Sequence, residues 1–238
     1  MNSEEKYHEA FLKECRSSYP EVQAFEDRCG FAVNVDKLQS AARVLACPLK
    51  VNPPSWAHGR VIYSAVRKLL AIDASAGVFL DIGTAKGFSA VAAGWAIEDS
   101  KASHTVLSVD IVDPTLKVSR NSVIETHNAL FTVAEFVAPF RSSSVAMKFF
   151  GGGSMPLIQH LQDSQQRVRF AFVDGKHTYE AVVAEIGHLK DLQRSGDVTV
   201  LDDLQIAPVA QAASKLRGYD VTMLSAGPLR RYAVAVRQ

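Results

Sequence analysis

Short apolar runs alternate with amphipathic stretches over most of this chain, and this alternation constrains its fold more than any other feature. Each run is too short for a helix and is rich in β-branched or aromatic residues, which is typical of strands buried on both faces. Strands that alternate with helices predict an α/β fold with a doubly wound, mostly parallel sheet. The runs cover residues 78–80, 106–109, 170–173 and 198–201, and a further strand is expected near residues 147–150. The helical stretches cover residues 61–70, 88–97, 121–131, 156–161 and 179–194.

The N-terminal part of the chain has a different pattern. Apolar residues recur there at helical spacing, interrupted by Pro20 and Gly30, which both break helices. Three prolines then lie within residues 48–54. We therefore predict a helical N-terminal cap over residues 1–57 and an α/β domain over residues 58–238. The cap is a candidate for the wall of a substrate pocket or for the contact between copies of the chain in a homo-oligomer.

The C-terminal end predicts a β-hairpin after a short helix. Residues 208–216 have helical spacing with a proline in the first turn, a position that helices tolerate. Two strand-like runs follow at residues 219–224 and 232–237, joined by a Gly-Pro turn. Because a hairpin reverses the chain, it would add an antiparallel strand to an otherwise parallel sheet.

The charge of the chain is nearly balanced. With a formal net charge of +1, the chain lacks the broad basic surface that attracts nucleic acid. No stretch of about 18 apolar residues could span a membrane, and the N-terminus lacks the pattern of a secretory signal. The three cysteines lack Cys-x-x-Cys spacing, which favours free thiols in a reducing compartment. We therefore expect a cytoplasmic protein that binds neither nucleic acid nor membranes.

Aspartates stand at the ends of most predicted strands. Asp81 closes the first run, Asp110 closes the second, and Asp174, Asp202 and Asp203 follow the last two. In an open α/β sheet, ligands bind outside the carboxyl ends of the strands, so these residues are candidates for a functional site. Carboxylates that converge on one edge repel each other, and a bound cation would relieve that repulsion.

A turn that contains glycine follows the first predicted strand. Gly83 and Gly87 suit a tight turn because they lack a Cβ, which serves either the close approach of a ligand or close packing within the protein. Asp110, at the end of the next strand, could accept both hydroxyls of a ribose, which favours a nucleoside cofactor. The turn lacks the G-x-G-x-x-G pattern of dinucleotide sites. The charge of Asp81 suits an amino group or a sulfonium better than a pyrophosphate.

Five segments carry a resemblance to a known family. They are DIGTAKGFSA at 81–90, SVD at 108–110, FVDGKHTYE at 172–180, VLDD at 200–203 and YAVAV at 232–236. In this order and spacing they resemble class I S-adenosylmethionine-dependent methyltransferases, and in particular a subgroup of small-molecule O-methyltransferases. The resemblance covers about residues 58–238. It implies a Rossmann-like sheet of seven strands with a C-terminal antiparallel strand.

The resemblance also implies roles for single residues. Asp81 would hold the amino group of the cofactor and Asp110 its ribose. Related sequences often carry an aspartate for the adenine amino group where this chain has Gly153, so adenine recognition would fall to Ser154 or to backbone groups. The implied cofactor contacts are Asp81, Gly83, Thr84, Gly87, Phe88, Ser89, Asp110, Gly153 and Ser154.

The same subgroup holds a divalent ion on acidic residues after the fourth and fifth strands. Asp174, Asp202 and Asp203 match those positions, and Mg²⁺ prefers such oxygen ligands. His177 stands where related enzymes have a lysine base, and its usual pKa of about 6.5 suits a base at neutral pH. The implied reaction transfers the sulfonium methyl group to a hydroxyl of a small molecule, with Asp174 and His177 at the catalytic centre.

Alternatives stay open for several of these residues. Asp174 could cap the following helix, and the aspartate pair after the fifth strand could be solvated. His58 is interpreted as a surface or capping residue, and Arg230 and Arg231 as part of a solvated turn. The alternative functions are metal-independent methyl transfer to another nucleophile and binding without catalysis by a protein that keeps the cofactor fold.

Overall fold

Helices and strands alternate as the apolar runs predict. The computed structural model describes residues 3–46, 54–117 and 130–238. The helices in these ranges are α1 (Ser3–Cys15), α2 (Pro20–Cys29), α3 (Val35–Leu45), α4 (Ala57–Ile72), α5 (Phe88–Asp99), α6 (Val133–Val137), α7 (Ser154–Asp163), α8 (Tyr179–Leu192) and α9 (Ala207–Ala213). The strands are β1 (Val78–Ile82), β2 (Thr105–Asp110), β3 (Ala146–Gly151), β4 (Val168–Val173), β5 (Val198–Leu201), β6 (Tyr219–Ser225) and β7 (Arg231–Arg237).

The described strands form one sheet in the order β3-β2-β1-β4-β5-β7-β6. The strands from β3 to β5 are parallel, whereas β7 is antiparallel to both β5 and β6. The direction of strand order reverses between β1 and β4, and doubly wound sheets bind their ligands at such a point. The predicted Rossmann-like sheet of seven strands with an antiparallel C-terminal strand is confirmed.

The central strands are buried because helices cover both faces of the sheet. Every residue of β1, β4 and β5 is buried. Phe79 of β1 packs into an apolar cluster with α4 and α5, whereas Leu80 and Ile82 pack into a second cluster with α7 and α8. Burial on both faces explains why these strands are continuous apolar runs in the sequence.

The N-terminal helices pack against the helices of the α/β fold. Leu38 of α3 lies in the same apolar cluster as Val61 of α4 and Val91 of α5. An ion pair between the buried Glu26 and Arg60 joins α2 to α4. The predicted helices are therefore present, and the division of the chain into a cap and a domain stays a prediction.

Two helices end earlier than their sequence patterns predict. The helix α8 ends at Leu192 because the backbone of Gln193 is extended, and the side-chain amide of Gln193 donates a hydrogen bond to Val198 O at 3.1 Å. The helix α9 ends at Ala213, and the amide of Leu216 donates to Ala213 O in a tighter turn. Both differences lie at helix ends, where local hydrogen bonds replace the regular helical ones.

Some predictions fall on residues outside the described part of the chain. They concern Cys47, the prolines at 48 and 53, and most of the predicted helix at 121–131. Cys15 and Cys29 are described, and both are free thiols. No helix in the described ranges combines the length and the apolar character needed to cross a membrane.

Candidate active site

At the carboxyl edge of the sheet, the residues that follow β4 and β5 form main-chain hydrogen bonds with the last residues of the neighbouring strands β1 and β4. The amide of Asp174 donates to Ile82 O at 2.8 Å, and the amide of Asp202 donates to Val173 O at 3.1 Å. These bonds continue the parallel pairing of the strands by one residue beyond their ends. The predicted aspartates are thus gathered at one edge, beside the point where the strand order reverses.

The turn after β1 is shaped by contacts within the protein. Gly83 has a φ of +96°, and a Cβ at this position would lie 2.1 Å from Asp174 O. Gly87 has a φ of +87°, and a Cβ there would lie 2.4 Å from the side chain of Val137. Glycine is therefore required at both positions by the packing and backbone angles of the protein itself. An additional contact of these glycines with a cofactor stays a prediction.

Asp81 lies beneath this turn as a carboxylate that is only 3% exposed. Its Oδ2 accepts a hydrogen bond from Ser108 Oγ, which lies 2.7 Å from Thr84 Oγ1. Its Oδ1 has no hydrogen-bond partner within the described part of the chain. Burial raises the pKa of Asp81 from 3.8 to about 6. A buried carboxylate with one unpartnered oxygen fits the ammonium group of an amino acid.

Asp110 holds the same turn from the end of β2. Its Oδ2 accepts a hydrogen bond from Ala85 N at 2.7 Å, and its Oδ1 accepts one from Val112 N at 2.9 Å. A carboxylate offers about four acceptor positions, so these two bonds leave capacity for the hydroxyls of a ribose. The geometry is therefore compatible with the predicted ribose contact, and it adds a role for Asp110 in shaping the turn.

The residues predicted for adenine recognition lie at the start of α7. Gly153 is the residue before the helix, with an extended backbone. Ser154 Oγ donates a hydrogen bond to Glu185 on α8, and Glu185 is only 3% exposed. Burial raises the pKa of Glu185. Because the hydroxyl proton of Ser154 is donated to Glu185, only the hydroxyl oxygen of Ser154 and nearby backbone groups can form hydrogen bonds with a ligand.

Phe88 and Ser89, the first residues of α5, are both buried. The ring of Phe88 meets the ring of His58 edge-on, with centroids 5.0 Å apart, and His58 also stacks on Phe172 at 5.8 Å. The interpretation of His58 as a surface or capping residue is wrong, because its ring contacts two buried aromatic rings. What Phe88 and Ser89 contribute to a cofactor site stays a prediction.

Asp174, His177 and Asp203 converge on one point of this edge. His177 Nε2 lies 3.2 Å from Asp174 Oδ1 and 3.1 Å from Asp203 Oδ2. One donor atom from each of the three residues lies within 4.8 Å of the others. The hydrogen bond with Asp174 raises the pKa of His177. In the neutral ring Nε2 carries the proton, because both of its neighbours are carboxylate oxygens, and Nδ1 is left to accept one.

Helix capping does not explain Asp174. The N-cap of α8 is Thr178, whose side chain accepts a hydrogen bond from Ala181 N at 3.4 Å. The side chain of Asp174 contacts His177 instead and is 27% exposed. Burial raises the pKa of Asp174, and the negative charge of Asp203 raises it further. This carboxylate is therefore available for binding or chemistry at the edge of the sheet.

Asp202 lies deeper than its neighbour Asp203. It is 1% exposed, its Oδ1 accepts the amide of Asp203 at 2.6 Å, and its Oδ2 has no hydrogen-bond partner among the described residues. Burial and the charge of Asp174 raise the pKa of Asp202 well above its ordinary value. Of the three predicted metal ligands, the structure thus groups Asp174 and Asp203 with His177, while Asp202 lies behind them.

Arg230 brings a positive charge to this edge that the sequence does not reveal. Its guanidinium bonds to Asp203 Oδ1 and lies 3.6 Å from Asp202 Oδ2. Burial opposes this charge, but Asp202 and Asp203 outweigh the effect and raise the pKa of Arg230. The interpretation of Arg230 as part of a solvated turn is wrong, since only 20% of its side chain is exposed.

Comparison with known families identifies this arrangement. A family model described as a methyltransferase domain matches residues 80–204, which is more than half of the chain. The chain belongs to this methyltransferase family. The matched segment of the methyltransferase includes the glycine turn, Asp110 and the three aspartates after β4 and β5, but it ends before Arg230. No curated protein matches the chain.

Solved structures confirm the fold of this methyltransferase. An O-methyltransferase from Bacillus cereus in complex with SAH is 14% identical, with a TM-score of 0.54 over 85% of this chain and 89% of that chain. The cofactor-bound Rv0187 from MTB is 16% identical, with a TM-score of 0.55 over 93% and 98% of the two chains. The O-methyltransferase NovP is 15% identical, with a TM-score of 0.57 over 84% and 98%.

Proposed function

We propose that this methyltransferase uses S-adenosylmethionine to methylate a hydroxyl group of a small molecule, assisted by a divalent cation such as Mg²⁺. The observation that carries the proposal is the position of His177. It contacts the carboxylates of Asp174 and Asp203 at the same edge of the sheet as the turn after β1. Two structurally similar proteins, the O-methyltransferase from Bacillus cereus and the O-methyltransferase NovP, support oxygen as the acceptor atom. The nearly balanced charge supports a small molecule over nucleic acid.

S-Adenosylmethionine supplies the methyl group as part of a sulfonium cation. Asp81 would pair its unpartnered Oδ1 with the ammonium group of the cofactor, and Asp110 would accept the ribose hydroxyls. Ser154 and the backbone at Gly153 would contact the adenine. The residues proposed along the methionine part are Gly83, Thr84, Gly87, Phe88 and Ser89. Several negative charges around this turn favour a cation such as a sulfonium.

His177 would act as the general base. Its Nε2–H points to the carboxylates of Asp174 and Asp203, which leaves Nδ1 to accept the proton of the acceptor hydroxyl. The O–C bond would form as the C–S bond of the sulfonium breaks, and His177 would keep the proton of the acceptor hydroxyl. No covalent intermediate with the protein is needed, so most of the acceleration comes from aligning the donor and the acceptor.

Asp174 and Asp203 would hold the divalent cation. Their donor atoms lie within 4.8 Å of each other, and carboxylate oxygens are the ligands that Mg²⁺ prefers. The buried Oδ2 of Asp202, which has no hydrogen-bond partner in the described ranges, lies behind them. A divalent ion supplies a positive charge that favours the deprotonated form of a hydroxyl.

One observation favours metal-independent transfer as a second candidate. Arg230 already bonds to Asp203 and supplies a positive charge among these carboxylates. A guanidinium can stabilise an oxyanion without a metal. The two candidates differ in one measurement, because chelation with EDTA abolishes activity only where the ion is required.

Thermal unfolding with S-adenosylhomocysteine (SAH) tests the cofactor assignment. We expect SAH to raise the melting temperature of the wild type, since a ligand that binds only the folded state stabilises it. Asp110→Ala should lose this shift, whereas Asp220→Ala, an exposed position on β6, should keep it. The absence of a shift in the wild type would overturn the cofactor assignment.

Single-turnover assays on a panel of hydroxylated small molecules test the reaction. We expect His177→Gln to slow methyl transfer by about a hundredfold, a typical contribution of a general base. The variant should bind SAH like the wild type, because His177 is not among the proposed cofactor contacts. Unchanged transfer by His177→Gln would refute the role of base while leaving the cofactor assignment intact.

A further inference from the structure

The positive charge of Arg230 leads to an inference about how this site takes up a cation. We propose that Arg230 is the resident cation of the acidic edge, and that a divalent ion binds Asp203 by displacing the guanidinium of Arg230 from it. The proposal rests on the proposed function, because it assigns the divalent ion to Asp174 and Asp203. It adds that metal binding is opposed by a residue of the chain itself.

Both oxygens of Asp203 are engaged. Oδ1 accepts hydrogen bonds from Arg230 Nη1 and from Gln205 Nε2, and Oδ2 lies 3.1 Å from His177 Nε2. A carboxylate oxygen has two lone pairs, so Oδ1 has no further acceptor capacity. A divalent ion that uses Oδ1 must therefore take the place of Arg230 or of Gln205. An ion that uses the remaining lone pair of Oδ2 shares the carboxylate with the guanidinium of Arg230.

Charge makes Arg230 the group that leaves. Two cations that share one carboxylate lie a few ångströms apart and repel each other strongly at low dielectric constant. Gln205 is neutral and does not oppose an incoming ion in this way. The guanidinium of Arg230 also lies 3.6 Å from Asp202 Oδ2, so it neutralises part of two carboxylates at once.

The position of Arg230 in the chain allows this exchange. Arg230 directly precedes β7 and is 20% exposed, so its side chain has a route from the carboxylates to solvent. The turn that carries it is closed by a main-chain bond from Ala226 N to Arg230 O at 2.9 Å. The guanidinium can therefore leave Asp203 without a change in this turn.

Asp202 also indicates that this edge of the sheet has fewer positive charges than its carboxylates could bind. Its side chain is 1% exposed, and Oδ2 has no hydrogen-bond partner within the ranges that the structure describes. A buried carboxylate oxygen without a hydrogen bond is costly. Removal of Arg230 would leave Asp202 and Asp203 without their cation and would increase the demand for another.

Isothermal titration with Mn²⁺ on the full chain tests the proposal. We expect Arg230→Met, which keeps much of the side-chain bulk, to bind Mn²⁺ at least about tenfold more tightly than the wild type, because a charge-pair competitor is gone. Arg230→Lys keeps the charge and should bind Mn²⁺ nearly as weakly as the wild type. Arg231→Met removes the exposed neighbouring arginine and should match the wild type.

Equal Mn²⁺ affinity in the wild type and Arg230→Met, or weaker binding by the variant, would overturn the proposal. Should Arg230→Met fail to fold, Arg230→Gln carries the same expectation, since it keeps a donor for Asp203 without the charge. SAH affinity measured on the same samples separates the two hypotheses. If the wild type does not bind SAH, the proposed cofactor is refuted. If it binds SAH but has the same Mn²⁺ affinity as Arg230→Met, only the role of Arg230 is refuted.

Discussion

Replacement of Asp81 by asparagine should stabilise the protein and at the same time weaken its affinity for the cofactor. The carboxylate is 3% exposed, and one of its oxygens has no hydrogen-bond partner among the described residues. Asparagine has nearly the same shape, and its Oδ1 can still accept the hydrogen bond from Ser108. The substitution therefore removes the buried charge while it keeps the local packing.

The magnitude follows from the pKa of Asp81, which burial raises from 3.8 to about 6. In the unfolded chain Asp81 ionises near its ordinary pKa, so stability is highest below that value and falls as the pH rises through about 6. The full loss corresponds to about 3 kcal/mol at pH 7.5. For a chain of this length, that difference corresponds to a rise in melting temperature of roughly 6–12 °C for Asp81→Asn.

Thermal unfolding at two pH values, with and without SAH, measures both effects. At pH 5 the folded wild type is mostly protonated at Asp81, so the advantage of Asp81→Asn should fall to about half. SAH affinity should fall by about tenfold or more, because the ammonium group loses its charged partner. Asp220→Asn, an exposed aspartate on β6, serves as the control. An equal destabilisation of Asp81→Asn at both pH values would disprove the effect of the buried charge on stability, and unchanged SAH affinity would disprove the contact of Asp81 with the ammonium group.

Two further predictions test the scaffold. Asp197, which is fully buried, accepts a hydrogen bond from Arg169 Nε at 2.8 Å, and Arg169 is also fully buried. Asp197→Asn should therefore lower the free energy of unfolding by about 3–5 kcal/mol in urea, and a loss below about 1 kcal/mol would contradict that estimate. Gly83→Ala should cost about 2–4 kcal/mol, since it combines backbone strain with a clash against Asp174 O. Gly187→Ala on α8, where a Cβ meets open space, should instead be neutral or stabilising, and an equal loss in both glycine variants would contradict the proposed clash.

The parallel core of the fold follows from local sequence signals. Strands such as β1 and β4 are buried on both faces, so each of them is a short and continuous apolar run. Aspartates that directly follow parallel strands must reach the same edge, because parallel strands end there together. Asp174 and Asp203 could therefore be brought together from sequence alone. Their contact with His177 follows as well, since His177 lies on the same short loop as Asp174.

Contacts that depend on distant parts of the chain could not be predicted in this way. Arg230 follows a turn and belongs to a pair of like residues, a pattern that is typical of solvated turns, and only the reversed direction of β7 brings it to the carboxylates. The bond between Ser154 and Glu185 joins two helices whose relative position no local signal gives. The packing of the His58 ring could not be predicted for the same reason, because its aromatic neighbours come from α5 and β4.

The direction of β7 has a consequence for classification by sequence. A parallel strand ends at the functional edge, so the residues that follow it lie there. An antiparallel strand begins at that edge, so the residue that precedes it lies there. Arg230 reaches the edge by this second route and lies outside residues 80–204, the part that matches the methyltransferase family. Two family members with the same matched segment can thus differ in the net charge around their aspartates through a single turn residue. Surveys of cation requirement across such proteins should therefore include the residue before the last strand.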